Sequence, residues 1–186
     1  MKFVLVALMC VSLASSPVEA NQSKVATQKS NAQVLDATTR WLAATIIKSG
    51  GEKYADEQLR YVISFKKASF KKGFGYIERH VQRFVDGEML NDQIEETTFD
   101  LKRLDARTVS VHEYTTATSN VKNKSWSVVV ESRVPADALA VQTKRKVKVD
   151  QSSLNSHVPG KLSFPFPNAA TAQQFSRGLA FAISIS

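Results

Sequence analysis

The sequence predicts an α+β domain: a bent antiparallel sheet, or partial barrel, of about six strands between an N-terminal helix and a C-terminal capping helix. Near both ends, apolar residues recur at the three- and four-residue spacing of a helix face. Between Leu59 and Asp150, runs rich in β-branched and aromatic residues are separated by turn-forming residues, which is typical of strands. The order is helix, strands, helix without an internal repeat, so we expect one domain.

The first 20 residues have the three-part pattern of a secretory signal peptide: Lys2, an apolar run and a short polar segment. Val18 and Ala20 are the small residues that a signal peptidase requires, and they predict cleavage between Ala20 and Asn21. The apolar run is shorter than the roughly 20 residues of a membrane span. We therefore expect a secreted or periplasmic protein whose mature chain is 21–186.

The mature chain would contain no cysteine, because Cys10 is the only one in the sequence. This excludes a disulfide scaffold, a cysteine nucleophile and a thiolate metal site. A chain of this length buries roughly 70% of the surface that its unfolded form exposes. It is therefore long enough to fold around its own core.

The polar segment 21–30 is predicted to be a flexible lead-in to a domain over 31–186. A helix should follow Ser30, which forms a capping box with Gln33, and should end at Gly50-Gly51. One face of this helix combines residues with helical spacing: Val34, Leu35, Thr38, Trp41, Leu42, Thr45 and Ile46.

Five stretches are predicted strands: RYVISF, TTFDL before Asp105, RTVSVHEY, WSVVVESR and VQTKRKVKV. GYIERHVQRFVDG also fits a helical stripe, but Asp86-Gly87 is a strong hairpin signal and favours a sixth strand. FPFP (Phe164 to Pro167) should not continue a ladder, because proline lacks an N–H. Asn168 is predicted to cap the last helix, whose core face is Ala172, Phe175, Leu179, Ala182 and Ile183.

Two segments carry a resemblance. TFDLKRLDARTVSV (Thr98 to Val111) resembles the strand, Leu-Asp turn and strand of many small secreted bacterial domains of uncharacterised function, and FPFPNAATAQQFSRGLAFAI resembles their final helix. The architecture is similar to the pleckstrin-homology-like fold, although Ala106 stands where a proline often follows the aspartate. The resemblance implies a fold and no activity, because this architecture serves lipid, peptide and protein ligands.

No recognisable catalytic or metal-binding pattern occurs in the sequence. His80, His112 and His157 lack metal-ligand spacing, and no Gly-x-Ser-x-Gly elbow or Gly-rich phosphate loop is present. Adjacent Glu95 and Glu96 would point to opposite faces of a strand and cannot form a carboxylate pair. We therefore expect no catalytic residue, metal or cofactor, and keep a hydrolase acting through His112 or His80 as an alternative.

Two basic segments are the candidate binding sites. KKASFKKGFGY is predicted to be an exposed loop with apolar tips, as in proteins that bind membrane surfaces. In TKRKVKVD, strand alternation places three lysines on one solvated face and Arg145 on the other, where it should snorkel or pair with an acid. The candidate binding residues are Lys66, Lys67, Phe70, Lys71, Lys72, Phe74, Lys144, Lys146 and Lys148.

The leading functional prediction is a secreted or periplasmic, non-enzymatic protein that binds a protein partner or an anionic envelope component such as a membrane surface. An alternative is a carrier of a lipid or other apolar ligand in the sheet interior. The net charge of +8 is also typical of nucleic-acid binders, but an exported protein meets little nucleic acid. The aromatic residues that could line an interior cavity are Trp41, Phe65, Phe70, Phe74, Tyr76, Phe84 and Trp126.

Overall fold

The computed structural model describes residues 17–55, 58–117, 122–150 and 158–186. Most of the predicted signal peptide (residues 1–16) and His157 lie outside the described residues. The chain divides into two compact units, Met1–Gln33 and Val34–Ser186. In chain order the elements are α1 (Pro17–Ser49), β1 (Glu52–Ala55), β2 (Leu59–Lys71), β3 (Phe74–Val85), β4 (Glu88–Asp100), β5 (Ser110–Ala117), β6 (Lys122–Glu131), β7 (Val141–Asp150), β8 (Lys161–Phe166) and α2 (Ala169–Ser184).

The α+β class and the antiparallel pairing are confirmed, whereas the predicted arrangement of strands is wrong. In the described part of the chain, eight strands form two sheets, in the orders β1-β2-β3-β4-β7 and β5-β6-β8. We had predicted about six strands in one bent sheet or partial barrel. The described strands form no closed barrel, and none of the helices in this part of the chain has the length and hydropathy of a membrane span.

Helix α1 begins at Pro17, earlier than the predicted start after Ser30. The segment 21–30 contains neither glycine nor proline, so nothing in it interrupts the helix, and proline is tolerated in a first helical turn. The predicted cleavage between Ala20 and Asn21 concerns processing of the chain and stays a prediction. The helix ends at Ser49, as predicted, where Gly50 N donates to the Ile46 carbonyl at 2.9 Å.

Two-residue turns join β2 to β3 and β3 to β4. The predicted Asp86-Gly87 turn is confirmed, with φ of 50° and 83°, and Lys72-Gly73 forms a similar turn with φ of 51° and 84°. Positive φ at both central residues is the geometry that matches the twist of a hairpin. KKASFKKGFGY is therefore a hairpin and the predicted loop is wrong, because Lys66, Lys67 and Lys71 occupy exposed strand positions and only Lys72 lies in the turn.

Strand β8 includes Pro165, contrary to the prediction that FPFP would not continue a ladder. Pro165 lies opposite Ser127 of β6, and its carbonyl accepts the Gly51 N–H at 2.7 Å on the other side. Strand β8 is at the edge of its sheet, and the nitrogen of Pro165 faces the side of β8 that has no neighbouring strand. The missing N–H therefore removes no hydrogen bond from the ladder.

The core joins the sheets and helices through aromatic residues. The rings of Phe99 and Phe164 make an edge contact with centroids 6.3 Å apart, and Phe175 of α2 packs on Phe164 at 5.1 Å. Asn168 caps α2 as predicted, since its side chain accepts the Thr171 N–H at 2.8 Å. The predicted core face of α2 is confirmed, because all of its residues are buried: Ala172, Phe175, Leu179, Ala182 and Ile183.

Candidate ligand pocket between the two sheets

A cavity of about 130 Å³ lies between the first sheet and strand β8. Strands β2, β3, β4 and β7 contribute one side of it, and β8 with the preceding Val158 contributes the other. Among the described residues, its wall combines apolar, hydroxyl and cationic side chains and no acidic one. The lining residues are Phe65, Ile77, Arg79, Thr97, Val141, Thr143, Val158, Lys161, Leu162 and Ser163.

Strand register brings the polar part of the wall together. Phe65 of β2 is paired with Arg79 of β3, Arg79 with Glu95 of β4, and Glu95 with Arg145 of β7. Directly paired residues place their side chains on the same face of a sheet. One row across four strands therefore carries an aromatic ring, two guanidinium groups and a carboxylate. Thr97 lies in the next row.

Glu95 is the centre of a buried ionic cluster, with only 1% of its surface exposed. Arg79 Nε donates to Glu95 Oε2 at 2.5 Å, and Arg145 Nε lies 3.2 Å from Oε1. Gln93 Nε2 also donates to Oε1 at 2.9 Å, so both carboxylate oxygens have partners. A buried carboxylate requires such pairing. Two guanidinium groups therefore share one carboxylate.

Of the two alternatives predicted for Arg145, snorkelling or pairing with an acid, the structure has the pair with Glu95. The prediction that Glu95 and Glu96 point to opposite faces is confirmed. The role of Arg79 was not predicted. Its signal in the sequence is strand alternation, which places Arg79 on the same face as Ile77 and Val81, both buried. A single cation between two core positions needs a partner inside the fold, and the partner is Glu95.

Hydroxyl groups and one lysine complete the polar part of the cavity wall. Thr97 Oγ1 and Thr143 Oγ1 lie 3.0 Å apart, and the Ser163 hydroxyl lies 2.6 Å from that of Ser127. Lys161 Nζ is 3.3 Å from Glu131, whose side chain is exposed. The cavity therefore offers hydrogen-bond donors next to an apolar surface.

A partly buried phenol lies elsewhere between the sheets. The Tyr114 hydroxyl of β5 donates to Glu52 at 2.9 Å. Burial, followed by the charge of Glu52, raises the pKa of Tyr114 well above its ordinary value, and burial likewise raises the pKa of Tyr61. Both phenols therefore stay protonated at neutral pH and act as hydrogen-bond donors.

The predicted lysines of β2 and β7 lie on the opposite, outer face of the first sheet, among acidic residues. Lys67 Nζ donates to Glu78 at 2.8 Å, Lys146 pairs with Glu96, and Lys148 Nζ is 4.0 Å from Asp92. The hydrogen bond from Lys67 lowers the pKa of Glu78 and raises that of Lys67. Carboxylates of β3 and β4 thus separate the two groups of lysines, and Lys144 lies opposite Glu96.

The β2–β3 turn exposes lysines and one of the two candidate phenylalanines. Phe74 is 60% exposed, whereas Phe70 packs against Phe99 with ring centroids 5.6 Å apart and belongs to the core region. Lys71 and Lys72 are exposed at the turn, whereas the exposed Lys66 lies further back in β2 at the register shift between Phe65 and Lys67. Phe74 is therefore the exposed apolar residue beside the turn. Phe70 instead has a structural role, because its ring packs against Phe99.

Neither described histidine lines the cavity. His80 pairs with Asp92, and the exposed His112 ring lies 2.9 Å from the Ser110 hydroxyl. Among the described side chains, no group of three or more His, Cys, Asp and Glu is placed to hold a metal ion. Both imidazoles have a partner, but neither is at the cavity where a substrate would be enclosed.

No protein-family model, curated protein or solved structure matches this chain. The resemblance of Thr98 to Val111 and of the closing helix to small secreted pleckstrin-homology-like domains therefore stays a prediction. The chemistry that the cavity supports is inferred from its own side chains.

Proposed function

We propose that the protein is a non-enzymatic binding protein that takes a small amphipathic molecule into the cavity between its two sheets. The observation that carries this proposal is the composition of the cavity wall. Phe65, Ile77 and Leu162 offer apolar surface, and Arg79 and Thr97 offer donors beside it. A concave apolar site with a few convergent polar groups is the usual form of a small-molecule site.

The size of the cavity limits the ligand. Its volume is about 130 Å³, and an apolar protein cavity of about 150 Å³ holds benzene. A molecule with a ring or a short branched chain fits this space, whereas a long acyl chain would extend beyond it. The proposed ligand is therefore a small molecule, which narrows the alternative of a lipid carrier. The predicted export of the chain means that this ligand would be met outside the cytoplasm.

The first experiment is a fragment titration followed by two-dimensional NMR of the labelled protein. Ligands of benzene size should shift the amide signals of the cavity strands, and native mass spectrometry should detect a copurified small molecule. If no fragment shifts the cavity residues, the proposal is wrong. This measurement needs only the wild-type protein.

A matched pair of variants tests whether the cavity itself is the site. Thr97→Phe places a ring in the cavity, whereas Thr98→Phe places the same ring on the exposed outer face one residue away. We expect Thr97→Phe to abolish the shifts and Thr98→Phe to leave them unchanged. Equal binding by both variants would contradict the proposal.

A second candidate function, binding to an anionic envelope surface, is favoured by the β2–β3 turn. There the exposed ring of Phe74 adjoins Lys71 and Lys72. Each lysine near an anionic surface contributes about 1 kcal/mol. The triple variant Lys71→Gln, Lys72→Gln, Phe74→Ser should weaken cosedimentation with anionic vesicles.

The control for the vesicle experiment is the triple variant of the β7 row. Its lysines lie among the acids of β4, so its removal should change vesicle binding less than removal of the turn residues. Equal losses in both variants would indicate attraction by overall charge and would exclude the turn as a site. The substitutions in the control are Lys144→Gln, Lys146→Gln and Lys148→Gln.

A further inference from the structure

We infer that the ligand of the intersheet cavity is a small organic oxyanion, of which carboxylates are the simplest class, and that Arg79 is its principal binding residue. This inference rests on the proposed function. It adds the charge and the recognition chemistry of the ligand, neither of which follows from the volume of the cavity.

The hydrogen bonds of Arg79 leave part of its guanidinium unused. Nε and Nη2 both lie 2.5 Å from the same Glu95 oxygen. A guanidinium carries five N–H donors in a planar fork, and Nη1 has no acceptor among the described residues. Arg79 also lines the cavity. Glu95 therefore fixes the side chain by one edge while donors remain for a ligand.

The charge around the cavity favours an anion. Arg79 lies in the wall formed by the first sheet and Lys161 in the wall formed by β8, so cationic side chains border the cavity on both sides. None of the ten lining residues is acidic. The interaction between unit charges strengthens as the local dielectric constant falls. An oxyanion at Arg79 would thus be stabilised, and an ammonium group would be repelled.

The other lining residues suit the polar end and the hydrocarbon end of a small carboxylate. The hydroxyl groups of Thr97 and Ser163 line the cavity and can form hydrogen bonds with oxygen atoms, and the branched and aromatic side chains can cover a short hydrocarbon group. Hydrogen bonds to a charged acceptor are stronger than those between neutral groups. Discrimination between a carboxylate and its neutral amide is therefore the expected signature.

The test uses isobutyrate and benzoate as probes, with isobutyramide and benzamide as neutral partners of the same shape. Titration by NMR should give affinities for the carboxylates at least about tenfold higher than for the amides. Added salt should reduce this difference. If amides bind as well as carboxylates, the cavity is a binding site but the inference about charge is overturned. If neither class binds, the proposed function fails as well.

Substitutions test which residues cause the preference for carboxylates. Arg79→Gln should remove the preference for carboxylates, and Arg79→Lys should retain part of it because a lysine lacks the planar fork. Lys161→Gln should lower carboxylate affinity a few-fold. Lys144→Gln, which removes the same charge from the outer face, is the matched control and should have no effect.

Arg79→Gln leaves Glu95 with one guanidinium fewer and can prevent folding. In that case Arg79→Lys and Lys161→Gln test the role of the two cations. Both variants should fold, because the new lysine keeps a cation beside Glu95 and the Lys161 side chain is 40% exposed. An unchanged preference for carboxylates in both variants would overturn the assignment.

Discussion

The ring of Phe99 occupies the space that a side chain at position 75 would need. Gly75 and Phe99 are paired directly across β3 and β4, and a Cβ added to Gly75 would overlap the ring. Phe99 cannot move aside easily, because it is 2% exposed and lies between Phe70 and Phe164. Packing, and not backbone conformation, therefore requires glycine at this position.

Gly75→Ala should lower the free energy of unfolding by about 1–3 kcal/mol, the usual effect of overpacking a core. Urea unfolding monitored by circular dichroism measures this change. Phe99→Leu provides room, so the double variant should lose less than the sum of the two single variants. Strict additivity of the two changes would contradict the contact as the cause.

Glu95→Gln and Glu96→Gln are the same substitution at adjacent positions with opposite burial. The first should cost about 3 kcal/mol, because it removes the buried anion that two partly buried guanidinium groups share. The second removes an exposed pair with Lys146 and should cost less than about 1 kcal/mol. The two unfolding free energies, measured in urea, check the ranking. A reversed or equal effect would show that the cluster contributes little.

Asn168→Ala should destabilise the protein by about 1 kcal/mol, because it removes the side-chain oxygen that caps α2. Asn168→Asp keeps an acceptor at the same place and should leave the thermal midpoint near that of the wild type. Calorimetry of the two variants tests the cap. Equal losses in both would mean that the contribution of Asn168 comes from something other than its acceptor oxygen.

Asp105 should make stability depend on pH in the acid range. The Arg107 side chain and then its backbone N–H lower the pKa of Asp105 from its ordinary value of 3.8 to about 2. The carboxylate therefore contributes stability above about pH 4, and this contribution is lost as the pH falls towards about 2.

The matching variant is Asp105→Asn, which keeps an acceptor for the Arg107 N–H but removes the charge. The difference in urea midpoint between wild type and variant should shrink as the pH falls through this window. It should also shrink with added salt, because the Arg107 side chain is exposed. A difference that does not change with pH would contradict the assignment.

Local signals predicted the parts of the fold that depend on neighbours in sequence. Asp86-Gly87 fixes its turn through the backbone conformation of two residues, and Asn168 fixes the start of α2 through its own side chain. The predicted strands followed from runs of β-branched and aromatic residues between turn-forming residues. The turn at Lys72-Gly73 was missed because the lysines before it were interpreted as loop residues instead of exposed strand positions.

Features that depend on distant pairing were not predicted. Strand β1 is four residues long, too short for a periodic pattern, and β8 holds Pro165 because its outer edge has no ladder partner. The cluster around Glu95 depends on the register of β3, β4 and β7, which a sequence read alone does not determine. The outward direction of Lys144 could be predicted from alternation, whereas the acids facing it could not.

The chain alternates between the two sheets. Strands β1 to β4 belong to the first sheet, β5 and β6 to the second, β7 to the first again and β8 to the second. The β2–β3–β4 meander can form early, because its strands are joined by tight turns. Pairings between distant segments form more slowly, because loop-closure entropy opposes them. Since the cavity takes Val141 and Leu162 from β7 and β8, it is completed only by these late pairings. Recovery of ligand binding during refolding should therefore lag behind the recovery of strand signal, and it would report arrival at the native state.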